Sequence, residues 1–158
     1  MAEEKIVGVT FPVPYRFMKR FFEDGKDVFV KPATAFKRLK EGMKLIFYAS
    51  HENQGWVGEA TIKRVEFVDD PFEVLRGYED RLFLTKEELR AYMKSQEKWG
   101  GGKRRGKKKK WLVMELENIT RYKNIVRPKR FITVGGRYVT QREFKKTFRQ
   151  TGLNNCHL

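Results

Sequence analysis

The sequence contains one cysteine, Cys156, and two histidines, His51 and His157. A lone thiol excludes an intrachain disulfide framework, and so few sulfur and imidazole ligands exclude a classical zinc site. Long apolar runs are also missing. None approaches the ~20 residues that a membrane-spanning helix needs. No apolar stretch follows the charged start Met1–Lys5, so nothing there reads as a secretory leader. The expected location is the cytoplasm, with no integral membrane association. A phosphate-cradling P-loop is absent as well, because Gly100-Gly101-Gly102-Lys103 lacks the required spacing. No metal, cofactor or catalytic residue is expected.

What is present is charge and phenylalanine. The 158 residues suit one domain, and thirteen Phe within a 40% apolar composition can fill a core. Lys and Arg number 35 against 20 Asp and Glu, a net +15. Charge this far from zero governs partners and association rather than fold. Its usual complements are nucleic acid and anionic membrane. Abundant Lys and Glu with little Gln suits a thermophile.

Residues 5–11 read as a strand ended by Pro12 and Pro14, with Pro14 suited to a helix start. Residues 15–23 carry helical spacing through the pairs Phe17/Phe21 and Met18/Phe22. A turn at Asp24-Gly25, a strand over 27–31 and a short helix over 34–40 follow. Residues 43–50 and 56–68 read as an antiparallel hairpin, with His51 in its turn. Asp70-Pro71-Phe72-Glu73 and Thr85-Lys86-Glu87-Glu88 are helix-start signatures, the second opening a helix over 86–98. Strands are expected over 111–122, 131–134 and 137–139. A last helix, capped by Thr140, holds Phe144 and Phe148. With no βαβ rhythm, this order predicts an α+β domain over residues 1–158: mixed, mostly antiparallel strands in a curved sheet or small barrel with peripheral helices.

The strongest functional signal is the run Lys103, Arg104, Arg105, Gly106, Lys107, Lys108, Lys109 and Lys110, which has seven cations in eight positions. It sits in a Gly-rich break over 99–110, expected to be a mobile loop inserted in the domain. Neutralising about five to seven phosphates would give a log K against log salt slope of roughly −4 to −6. The alternative is a solvated loop that favours solubility. Subtracting those seven charges from +15 leaves +8, so the remaining domain is itself basic. Arg142, Lys145, Lys146 and Arg149 form a second basic set on the last helix, readable equally as a solvated face.

The hairpin is the second signal. Tyr48 and Ser50 share a strand face, and Gly58 and Ala60 are small residues within the facing strand. Small residues there mark close approach of a ligand or another backbone. An aromatic beside a hydroxyl suits a base, by stacking and edge hydrogen bonds. Equally, Tyr48 and Trp56 could be core aromatics. The carboxylates Glu59, Glu66, Asp69 and Asp70 read as polar surface rather than acid–base pairs. His51 beside Ser50 forms no nucleophile pair, since strand neighbours face opposite ways.

Phe47-Tyr48-Ala49-Ser50, then Gly55-Trp56-Val57-Gly58-Glu59-Ala60, then Asp70-Pro71 resemble the EVE domain of the PUA-like superfamily. Val30-Lys31-Pro32 and Ile119-Thr120-Arg121-Tyr122 are similar to PUA-like and ASCH domains. The whole chain most resembles an archaeal family of uncharacterised PUA-like proteins. The basic segment and the turn Gly135-Gly136-Arg137-Tyr138 depart from the EVE pattern. The ASCH run G-x-K-x-x-x-x-R begins at Gly42-Met43-Lys44, but Ala49 stands in place of Arg. The resemblance implies a PUA-like pseudo-barrel that binds RNA, or DNA, with a cleft for a base, modified or not. Its cleft residues would be Lys31, Tyr48, Ser50, Trp56, Gly58, Arg137 and Tyr138, with Lys103–Lys110 on phosphates. The alternatives are an enzyme acting on a nucleotide or modified base in that cleft, and a structural subunit of a ribonucleoprotein particle.

Overall fold

The computed structural model describes residues 5–32, 36, 38–50, 54–99, 110–128, 132 and 136–147. In chain order these form β1 (Ile6–Pro14), α1 (Tyr15–Glu23), β2 (Val28–Pro32), β3 (Lys44–Ser50), β4 (Gly55–Val68), α2 (Phe72–Tyr78), a 3-10 turn (Glu79–Arg81), α3 (Lys86–Trp99), β5 (Trp111–Val126), β6 (Arg137–Thr140) and α4 (Gln141–Thr147). The six strands make one sheet in the order β2-β5-β4-β3-β1-β6. β1 pairs β3 in parallel, and every other pairing is antiparallel. The mixed α+β architecture read from the sequence is the one observed.

The sheet curls. Phe11 of β1 stacks on Phe29 of β2 with ring centroids 5.8 Å apart, although three strands separate β1 from β2 in the sheet order. Only a sheet bent back on itself brings those two strands together. The bend comes from the long β4–β5 pair, whose register shifts at Trp56/Gly58, Glu59/Thr61 and Ile62/Arg64. Asn118 adopts φ 52 within this stretch. Each shift inserts a local kink and increases the right-handed twist.

Strand alternation then builds two cores. Leu45, Phe47 and Ala49 of β3 point inward, joining Phe11, Phe21, Phe29, Phe83 and Met114. Ile46 and Tyr48 point outward, into a cluster with Trp56, Tyr122, Ile132 and Val139 that Phe144 of α4 packs against. Buried Thr10 ties this outer layer together. Its Oγ1 donates to the Ile46 carbonyl (2.9 Å) and accepts from the Trp56 indole N–H (3.0 Å).

The helix starts follow the sequence signals. Thr85 and Glu88 exchange reciprocal bonds: the Glu88 N–H donates to Thr85 Oγ1 (3.1 Å), and the Thr85 N–H to Glu88 Oε1 (2.8 Å). The Phe72 N–H donates to Asp70 Oδ1 (2.9 Å), and the Glu143 N–H to Thr140 Oγ1 (3.2 Å). One expected helix is corrected. Phe36 has φ 66, in the left-handed region, and the Leu39 N–H bonds back to the Phe36 carbonyl (3.2 Å), so the chain turns there instead of continuing a helix over 34–40. The hairpin-turn residue His51, most of the expected strand over 131–134, Phe148, Arg149, Cys156 and His157 lie outside the described residues.

Gly58 is small for a reason internal to the fold. A Cβ there would stand 2.5 Å from the Thr120 carbonyl oxygen and 2.6 Å from the Phe22 ring. Gly58→Ala is therefore expected to lower stability by about 2 kcal/mol through overpacking, measured as a reduced urea midpoint at unchanged m-value.

Candidate ligand cavity and basic segment

Pro12 and Pro14 lack the N–H that a further strand would need, and β6 pairs with β1 only as far as Thr10 among the described residues. The last turn of β1 thus leaves a gap opposite β2, and a cavity of about 400 Å³ occupies it. This volume lies within the range of small-molecule sites. Buried Phe29, Phe83 and Leu84 line it together with half-buried Phe17 of α1 and Tyr92 of α3. Its charged lining residues are Lys31 and Glu88.

The polar groups of this wall are largely committed. Arg20 reaches from α1 to clasp Glu88 of α3 through both carboxylate oxygens (2.6 and 2.9 Å), and it also donates to the Phe83 carbonyl (2.9 Å). This bidentate pair holds the Glu88 carboxyl down to about 2, with backbone and hydroxyl donation from Thr85 assisting. Burial pushes the Tyr92 phenol up to about 12, so at neutral pH it is an O–H donor. The Lys31 ammonium lies 4.9 Å from the centroid of the Phe11 ring.

The seven residues read from the sequence as one cleft do not share a site. Lys31 alone among them lines the cavity. Tyr48 and Trp56 are 4% and 2% exposed, edge to face at 6.1 Å on the opposite side of the sheet. Their rings are covered, which corrects their assignment as base-stacking residues. Gly58 is corrected likewise, since the protein's own backbone and Phe22 fill the space above it. Ser50 is half-buried at the end of β3. Arg137 is bound to Glu143 by two 2.6 Å contacts and lies over the Trp56 ring at 5.9 Å. Tyr138 turns inward onto Phe36, and its hydroxyl accepts the Arg38 N–H (3.1 Å). Lys44, from the truncated ASCH-type run, faces Glu59 (3.4 Å) and Thr61 (3.1 Å). The Tyr122 hydroxyl donates to the same Glu59 (2.8 Å).

Of the basic run, Lys103–Lys109 lie outside the described residues. Lys110 is described, 2.8 Å from Asp69. The described residues that flank the segment in sequence lie at or near the cavity. Upstream, Tyr92 and Ser95 of α3 line it. Downstream, Trp111 packs edge to face on Tyr92 at 5.4 Å and pairs Pro32, next to Lys31. Nothing in the sequence signals this cavity directly, because its residues come from positions 12 to 95. The prolines at 12 and 14 were the usable hint, as markers of a strand edge left open.

Among the described residues, no group of three His, Cys, Asp or Glu could hold a metal ion, and no helix is long and apolar enough to cross a membrane.

A curled six-stranded mixed sheet with peripheral helices is the fold this chain shares with an ASCH protein of known structure. The ASCH protein of Zymomonas mobilis superposes with a TM-score of 0.69 at 14% identity, covering 89% of this chain and 92% of that one. A Ser-to-Ala variant of the same protein gives 0.66 at 13% identity, over 91% and 96% of the two chains. Residues 6–141 match the model described as "Domain of unknown function (DUF365)", and the chain belongs to that family. An uncharacterised protein of Methanocaldococcus jannaschii is 49% identical over 109 residues, which is 68% of this chain and 99% of that relative.

The Arg20–Glu88 clasp has a defined pH signature. The Glu88 carboxyl is depressed from 4.5 to about 2, so its contribution is full above the unfolded value and fades as pH falls through the folded one. Wild type should exceed Glu88→Gln in thermal stability at pH 6, with the gap closing between about pH 5 and pH 2. A gap constant over that window would contradict the clasp.

Proposed function

We propose that this protein is a nucleic-acid-binding module, with single-stranded RNA as its preferred partner. The observation that carries the reading is an apolar, aromatic-lined cavity with α3, the helix that precedes the seven-cation run in sequence, on one wall, and Trp111, the residue that follows the run, packed on Tyr92 of that wall. The cavity offers ring faces and few uncommitted polar groups, which suits a base removed from its stack. The cations of Lys103–Lys110 suit the phosphates on either side. Such contacts supply affinity and salt dependence but little sequence choice. Choice would then rest on the cavity, with Lys31 and the Tyr92 hydroxyl as its donors.

RNA is preferred to duplex DNA because a base can enter a cavity between α1, α3 and β2 only when it is unpaired. The PUA-like resemblance of the chain points the same way.

The test is affinity for single-stranded RNA across a salt series, with DNA of the same sequence in parallel. Replacing Lys107, Lys108, Lys109 and Lys110 together by Ala should weaken binding about tenfold or more near physiological salt. It should also make the log K against log salt slope shallower by about 3. An unchanged slope, or wild-type affinity that ignores salt, would remove the basic segment from the interface.

A further inference from the structure

We infer that the cavity and α1 hold a single nucleotide unit between them, the base inside the cavity and an adjoining backbone phosphate on Arg16. This rests on the nucleic-acid reading above and adds a phosphate contact outside the basic segment.

Helix α1 carries three cations, Arg16, Lys19 and Arg20, with different commitments. Arg20 is consumed by Glu88 and the Phe83 carbonyl. Arg16 and Lys19 are exposed and have no acidic partner among the described residues. The Arg16 guanidinium lies 4.7 Å from the centroid of the Phe17 ring, and Phe17 lines the cavity. Stacking on a ring orients the planar group while leaving its N–H fork at the edge to meet a phosphate. The arrangement places a directed cation beside the aromatic wall, within the reach of one nucleotide.

The surrounding charge favours an anion there. The first turn of α1 contains no acidic residue. Glu88, the carboxylate lining the cavity, already has the Arg20 guanidinium across it. A phosphate beside Arg16 therefore meets no uncompensated negative group in the described wall.

If one nucleotide bridges both places, blocking the cavity must remove the benefit of Arg16. Ala91 is exposed on α3 and lines the cavity, so Ala91→Phe fills the space without opening the core. Ser95→Phe, one turn further along α3, is a second blocker. The probe is a 5′-hydroxyl, randomised-sequence RNA of about ten nucleotides, so every phosphate is internal. Binding is read by fluorescence anisotropy over a salt series, and each variant is checked for wild-type thermal unfolding.

Arg16→Ala is expected to weaken binding about fivefold and to flatten the salt slope by roughly 0.7. In either blocked background the same change should alter affinity less than twofold, since contacts to one ligand unit do not add. An equal loss in open and blocked backgrounds, or no loss in the open one, overturns the inference. If wild type still binds with a slope dependent on the basic segment, only the Arg16 assignment falls. If wild type does not bind the probe, the nucleic-acid reading falls with it.

Discussion

The closure of the curled sheet by side chains, where hydrogen bonds would otherwise run, shapes most of what this molecule contains. β1 ends in Pro12 and Pro14, which cannot donate to a neighbouring strand. β2 therefore meets β1 through rings. Phe11 stacks on Phe29, and Phe29 on Phe83 at 5.1 Å. Phe83 and Phe47 in turn stack on Phe21 at 5.1 and 5.0 Å. Stacked and edge-to-face pairs of this kind contribute about 0.5–1.5 kcal/mol each beyond their area burial. The same gap that these rings hold closed at depth stays open toward α1 and α3, and there it becomes a cavity.

Charge divides along similar lines. Several cations are structural: Arg20 joins α1 to α3, and Arg81 joins Asp27 (2.8 Å) and Glu115 (2.6 Å) at the far end of β2. These two carboxylates hold the Arg81 guanidinium proton more firmly than usual. Arg137 is taken by Glu143. The net +15 is thus not a uniform coat. A part of it braces helices and strand ends, while Arg16 and Lys19 of α1 are exposed.

Much of the architecture was legible in the sequence because local chemistry decides it. Thr85 and Glu88 specify a helix start wherever they occur, and the alternation of Leu45, Phe47 and Ala49 with Ile46 and Tyr48 specifies a strand with two faces. The helix expected over 34–40 failed at Phe36, where ring packing on Phe11 at 5.0 Å and on Tyr138 at 5.0 Å accompanies a left-handed backbone. The site was less legible. Periodicity says that Tyr48 lies opposite Phe47, but not which face of a curled sheet is covered. Here both are, and Tyr48 went to the layer under α4. Lys31, singled out from the sequence, lines the cavity, while Phe17, Phe83 and Tyr92 read only as core aromatics.

The edge-to-face contact between Trp111 and Tyr92 also gives the molecule an optical asymmetry. Trp111 stands directly behind a wall of the cavity, whereas Trp56 is sealed beneath Arg137 on the other side of the sheet. One indole is coupled to whatever enters the cavity, and the other to the integrity of the outer layer. With the third tryptophan, Trp99, replaced by Phe, intrinsic emission can therefore separate occupancy from unfolding, with no label attached to either face.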